Sequence, residues 1–246
     1  MYEPPVPTTA KDGKIPFKTK YLEGFLRTPR SPLLDRKYEP KVVDLLNGQK
    51  MVIRMATEDD AELLLEAVKR MVDLEIDTDF FDLVAARTYA EILGWIRKRV
   101  KDEYVQLGVT EEGKLAGIVN ARLWDDEIAI SLHTIVTLRR VGAGSPLYFA
   151  KMEYAFDDLE VEEWRPTFES YYGFRMVGIM GAAQGMRWPE NQHELGGAKM
   201  FYNTRTQWKN YIKPSVEKFL GTRPVPDDLL EVAESPELPD IEGQFD

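Results

Sequence analysis

Arg139-Arg140-Val141-Gly142-Ala143-Gly144, followed by Ser145-Pro146, is the stretch that decides how this chain folds. Ahead of it, Ile128 to Val136 alternates and reads as a strand. Behind it, Leu147-Tyr148-Phe149-Ala150-Lys151-Met152-Glu153 reads as a helix with a proline near its first turn. A strand, a glycine turn and a helix start together make an anion site. Glycines let the backbone approach closely, and the free N–H groups of the first helical turn point at the ligand. The same turn could merely reverse the chain, so the flanking segments decide between the two roles.

Working outward, Met51-Val52-Ile53-Arg54-Met55 predicts a first strand, and Thr57 with Asp60 predicts a helix start. Ala61, Leu64, Leu65, Val68 and Val72 then recur at helical spacing. A second helix carries Tyr89, Ile92, Leu93, Ile96 and Val100 on one face. Tyr104 to Val109, the turn Glu111-Glu112-Gly113 and Leu115-Ala116-Gly117-Ile118-Val119 read as a hairpin. Asp125-Asp126 turns the chain again into Ile128–Val136.

A strand, two helices and three antiparallel strands that feed Arg-x-x-Gly-x-Gly resemble the GNAT superfamily of N-acetyltransferases. The likeness covers roughly residues 51–206. It implies an α/β fold with a mixed, mostly antiparallel twisted sheet flanked by helices. Leu159-Glu160-Val161 is then the candidate for an intervening strand. Tyr172-Gly173-Phe174-Arg175-Met176-Val177-Gly178 resembles the start of the superfamily's late strand, and Lys199-Met200-Phe201-Tyr202 its last one. The resemblance implies an acyl-CoA-dependent N-acyltransferase that moves an acetyl group from acetyl-CoA to an amine. The implied cosubstrate contacts are Ile135, Val136, Arg139, Arg140, Val141, Gly142, Ala143, Gly144 and Ser145. The superfamily's aromatic–tyrosine pair, whose tyrosine protonates the leaving thiolate, aligns with Phe168-Glu169. Tyr171 or Tyr172 is then the available replacement.

Such a reaction asks for a group that takes a proton from the amine. The candidates are Glu127, His133 and Glu169. On strict alternation His133 shares a face with Ala129, Ser131 and Ile135, opposite Ile128, Ile130 and Leu132. Histidine titrates near neutrality and suits the task, although a hydrogen-bonded histidine inside the sheet is the plainer role. For Glu127 the plainer role is a solvated turn carboxylate, and for Glu169 a surface helix residue.

Other chemistries have little support. Without cysteine there is no thiol catalysis, disulfide or cysteine metal site. The second histidine, His193, sits in a polar loop, and two separated histidines do not predict a metal site. The glycine turn lacks a P-loop lysine, and there is no serine-nucleophile elbow. No apolar run is long enough to span a membrane, and Met1-Tyr2-Glu3-Pro4-Pro5 does not read as a signal peptide, so a cytoplasmic setting is expected.

The formal charge of −10 is concentrated at one end. Beyond Arg223 there are eight acids and no base, so the rest of the chain holds 32 basic against 42 − 8 = 34 acidic residues. Residues 1–37 carry eight basic and four acidic residues among several prolines, too small an excess to predict nucleic-acid binding. Composition thus predicts an extended basic arm over 1–50, the domain over 51–206, and an amphipathic helical segment with an acidic tail over 207–246. Arms of this kind, 1–45 and 207–246, are expected to contact other polypeptides. That expectation supplies a second reading: a non-catalytic subunit of a larger assembly, such as a phage particle formed in the cytoplasm.

Overall fold

A computed structural model describes residues 31–76, 81–100, 102–168, 170–186 and 199–245, which lie in one compact unit, Ser31–Asp246. In chain order the main elements are β1 (Lys41–Asp44), β2 (Lys50–Met55), α1 (Ala61–Asp73), α2 (Phe81–Ile96), β3 (Glu103–Thr110), β4 (Leu115–Leu123) and β5 (Ile128–Val136). They continue with α3 (Gly144–Glu153), β6 (Glu163–Phe168), α4 (Tyr171–Met180), β7 (Gln184–Gly185), β8 (Lys199–Thr204) and α5 (Asp227–Glu234). The eight strands form one sheet in the order β1-β2-β3-β4-β5-β6-β8-β7. Every neighbouring pair is antiparallel except β5 and β6.

The two faces of the sheet bury different helices. Leu64, Ala67, Val68 and Met71 of α1 and Ala85 and Ile92 of α2 pack with Val105, Leu107, Val109, Ile118 and Ile135. On the other face, Tyr148, Phe149 and Met152 of α3 and Met180 of α4 pack with Tyr104, Ala121, Ala129 and Trp164. Each large apolar side chain so buried contributes roughly 1.5–3 kcal/mol, and Trp164 and Trp208 are both fully enclosed. Charged groups are also sealed in, among them an ion pair. Lys41 Nζ lies 2.6 Å from Glu153 Oε2, with Lys41 fully buried, and Arg223 approaches the same carboxylate at 3.3 Å.

The helix start at Thr57 is a capping box with Asp60, which Arg54 also grips through both of its terminal nitrogens. The second helix is shorter than its apolar face predicts. It ends at Ile96, and the chain folds back so that Val100 lies against Gly94, where a Cβ would come within 2.5 Å of the valine. Two further expectations are corrected. Leu159-Glu160-Val161 is not a strand; Leu159 and Val161 are buried loop anchors around Glu160 at φ 60°, and the strand is β6. Pro166 hides β6 from a propensity reading. It is tolerated because the paired residues facing β8 are those on either side of Arg165 and Pro166. Tyr172–Gly178 is likewise helical, because Ser170 Oγ caps α4 by accepting from Gly173 N at 2.9 Å.

Beyond β8, residues 205–220 form short helical pieces broken at Val216, and Gly221 at φ 71° ends them. Trp208, Ile212, Val216 and Leu220 join the α3 face of the core, while Val225, Ala233 and Ile241 join the α1–α2 face. The apolar anchors of this region therefore pack on the chain's own domain. Among the described residues, no helix is long and apolar enough to cross a membrane.

Candidate functional site: the β5 bulge and the glycine turn

β5 is paired unequally along its two edges. Toward β4 it is bonded from Ala129 to Val136. Toward β6 the parallel pairing covers only Ile128–Ser131 against Glu163–Pro166. Past Ser131, no pairing joins β5 to β6 among the described residues.

The strand also bulges there. Val119 pairs with Thr134 and Ala121 with Ser131, so Leu132 and His133 together stand opposite Asn120. The extra residue breaks the period of two. Ala129 faces the α3 side, but Ile135 faces the α1–α2 side, where His133 meets Glu91 of α2. The expectation that His133, Ala129, Ser131 and Ile135 share one face is therefore corrected, and the bulge is the reason.

His133 enters a buried polar cluster. Its Nε2 lies 3.2 Å from Glu91 Oε1, and its backbone N–H donates to Asn120 Oδ1 at 2.9 Å. Asn120 Nδ2 donates in turn to Glu91 Oε2 at 2.7 Å and to Glu103 Oε1 at 2.8 Å. His133 Nε2 approaches Glu91 at ion-pair distance yet has no aligned hydrogen bond, and Glu103 Oε2 is likewise buried without one. Burial pushes the Glu103 carboxyl up to about 8, against the hydrogen bond from Asn120, with the charge of Glu91 adding to the rise.

From the other face, Lys151 Nζ donates to the His133 carbonyl at 2.8 Å and to that of Asn120 at 3.2 Å. Both carbonyls belong to the bulge, so a fully buried lysine holds it in place. Burial pulls the Lys151 ammonium down to about 7, and Glu91 opposes that shift. Glu91, Glu103, Asn120 and Lys151 were not singled out from sequence. The available signal was a polar residue set inside an otherwise apolar strand or helix face.

At the end of β5 the chain forms the expected turn. Arg140 (φ 65°) and Gly142 (φ 82°) adopt left-handed backbone, and α3 begins at Gly144 with no side-chain cap on its first turn. Ile135 is buried, Val136 half-buried, and Arg139 and Arg140 are exposed. Two other parts of the chain reach the turn. Leu46 N, at the tip of the β1–β2 hairpin, donates to Val141 O at 2.9 Å, and its side chain fills the space beside Gly142. Near the C-terminus, Gln244 Oε1 accepts from Arg139 N at 3.2 Å, and the Arg139 guanidinium lies 4.6 Å over the Phe245 ring.

The fold resembles that of solved structures. No family model matches the chain, and no curated protein does. In structure it is similar to apo FdhC, a nucleotide-linked sugar GNAT, at 15% identity, covering 75% of this chain and 99% of that one with a TM-score of 0.51. It is similar also to the GNAT domain of PAT from S. lividans at 12% identity, covering 67% and 96% with a TM-score of 0.50. The chain has the GNAT fold. Within that fold, His133, Ile135, Val136 and the segment Arg139 to Ser145 lie on one continuous stretch, with His133 at its start.

The other named residues are placed apart from that stretch. Glu127 is exposed at the opposite end of β5, six residues or about 20 Å from His133 along the strand. Tyr171 and Tyr172 open α4, 67% and 65% exposed, on the α3 side of the sheet and not the His133 side. Glu169 and His193 lie outside the described residues. Among the described residues no group of three His, Asp or Glu side chains is placed to hold a metal ion.

Proposed function

We propose that this GNAT-fold protein is an acyl-CoA-dependent N-acyltransferase, with acetyl-CoA as cosubstrate and an amine as acceptor. The observation that carries the reading is the uncapped first turn of α3, which follows directly from a strand that parts from its neighbour at a histidine-bearing bulge. The cosubstrate would supply the activated thioester carbonyl. The N–H groups between Arg140 and Ser145 would hold its phosphates, and Arg139 or Arg140 would add positive charge. A backbone N–H of β5 beyond the parallel ladder, other than that of His133, which Asn120 holds, would polarise the carbonyl.

His133 takes the proton from the attacking amine, and Glu91 stabilises the imidazolium that forms. The amine nitrogen bonds to the acyl carbon, the carbon–sulfur bond breaks, and the sulfur leaves as a thiol after gaining a proton. Tyr171 or Tyr172, the phenols nearest in sequence to Phe168-Glu169, would give that last proton, and reaching the sulfur requires movement of the α4 start. Glu127 has no part in this scheme.

A second reading is supported by the glycine turn itself, which already carries Leu46, Gln244 and Phe245. In that reading the fold is a non-catalytic scaffold, and residues 1–45 with the acidic surface of 207–246 dock other chains.

The test is a substitution that spares the fold. Gly142→Asp is a poor choice, because the positive φ and Leu46 would strain any side chain there. At Gly144 an added Cβ meets only Val136, at an ordinary 3.7 Å, and a carboxylate in the first turn of a helix stabilises it. Gly144→Asp is therefore expected to melt at or above the wild-type temperature while losing CoA binding in a calorimetric titration. A folded variant that binds CoA as the wild type does would remove the turn from the site.

A further inference from the structure

Residues 237–245 lead to the glycine turn, and their path there is held at several points. Glu237 pairs with the β3–β4 hairpin, accepting from Leu115 N at 2.9 Å and donating to Gly113 O at 2.8 Å, while its carboxylate meets Lys114 Nζ at 2.6 Å. Ile241 is completely buried in the α1–α2 core. From this anchor a short turn delivers the last residues: Phe245 lies 5.0 Å from Phe81 at the start of α2, and Gln244 and Phe245 both engage Arg139.

The chemistry of these two contacts matches what a phosphate would need. A carboxamide oxygen accepts the backbone N–H at the start of the turn, as a phosphate oxygen would. An aromatic face takes the guanidinium that would otherwise pair with the anion. The neighbouring carboxylates are engaged elsewhere: Asp240 Oδ1 accepts from Gly243 N at 3.2 Å, and Glu242 lies 4.0 Å from Arg70 of α1. A neutral carboxamide accepts more weakly than a phosphate, so the contact is displaceable. Only the residues beyond Ile241 need to lift, and the core remains intact.

We propose that Gln244 and Phe245 form an internal plug that competes with the phosphates of CoA for the Arg139 end of the glycine turn. The proposal rests on the reading of that turn as the CoA site, and it adds a regulatory step to it: anything that draws Gln244 and Phe245 away raises affinity for the cosubstrate.

The experiment is calorimetric titration of CoA into full-length wild type, Gln244→Ala and Gln244→Ala/Phe245→Ala, with thermal melting to confirm folding. Gln244→Ala keeps the aromatic packing of Phe245 and so stays informative if the double variant loses stability. The double variant is expected to bind CoA roughly tenfold more tightly than wild type, and the single variant by a smaller factor. Adding Gly144→Asp to the double variant should abolish the gain. Equal affinity in all three folded proteins would overturn the plug and leave the site standing. Weaker binding in the variants would also overturn it, because Gln244 and Phe245 would then be ligand contacts. Absence of binding in every variant would overturn both the plug and the CoA reading beneath it.

Discussion

His133 reaches Glu91 only because one extra residue turns β5 over at the bulge, and the proposed base role gives their pairing a kinetic test. If the imidazole accepts the amine proton, the rate falls on the acid side as the imidazole protonates. Glu91→Gln removes the charge that would stabilise the imidazolium formed in the reaction, so the maximal rate is expected to fall roughly tenfold or more. His133→Gln is expected to remove the limb. Thiol release from acetyl-CoA, measured across pH with whichever amine a panel identifies, checks both; an unchanged profile in His133→Gln would take the histidine out of the mechanism. Glu103 gives a separate pH signature in stability. Its folded value of about 8 stands above the ordinary 4.5, so the folded state holds a proton that the unfolded chain releases between those values. Its stabilisation is complete below pH 4.5 and is lost as pH rises toward 8, by up to about 1.4 kcal/mol per pH unit. Glu103→Gln is expected to flatten that decline in denaturant melts between pH 5 and 8. Lys41 and Glu153 behave differently, because their charges are paired. Glu153→Leu should cost about 3–5 kcal/mol by stranding the buried ammonium, and adding Lys41→Met should recover much of it. A double variant no more stable than Glu153→Leu in guanidinium unfolding would refute that account.

The elements differ in how far they could be read from sequence, for identifiable reasons. β2, α1, β3, β4, β5 and α3 were legible because their apolar periods are clean and their ends carry turn or capping residues. β6 was misplaced because Leu159 and Val161 are more strand-like than Arg165-Pro166, and tertiary pairing overrides propensity there. α4 was misread because a likeness carried by Gly173-Phe174 outweighed the local signal of Ser170 as a cap. At the site, the glycine turn was legible and the bulge was not. A bulge changes no composition; its mark is the polar pair Asn120 and His133 set across two apolar strands. The buried partners Glu91, Glu103 and Lys151 come from three separate elements, and no local pattern links them. The bulge also yields a prediction. Lys151→Met leaves the carbonyls of Asn120 and His133 without their donor. It is expected to lower stability by about 1–3 kcal/mol for each carbonyl left unsatisfied, measurable by thermal or chemical melting. An unaltered melt would show that the lysine does not hold the bulge.

In the molecule as a whole, net charge was a poor guide to how the C-terminal region is used. The acidic tail reads from composition as solvated or partner-bound, yet Val225, Ala233 and Ile241 fasten it to the α1–α2 face, and its last residues meet the glycine turn. The acids face outward while a few well-spaced apolar residues provide the attachment, a pattern too sparse to register as periodicity. The same turn thus joins the strand that bears His133, the helix that would hold phosphate, the β1–β2 hairpin and the C-terminus. Binding of CoA at this turn would decide between the two readings of the chain. The most direct measurement is calorimetric titration of CoA into folded full-length wild type and into Gly144→Asp. The account predicts saturable one-to-one binding by the wild type and none by a variant that melts no lower. No binding by the wild type, or equal binding by the two proteins, would contradict it.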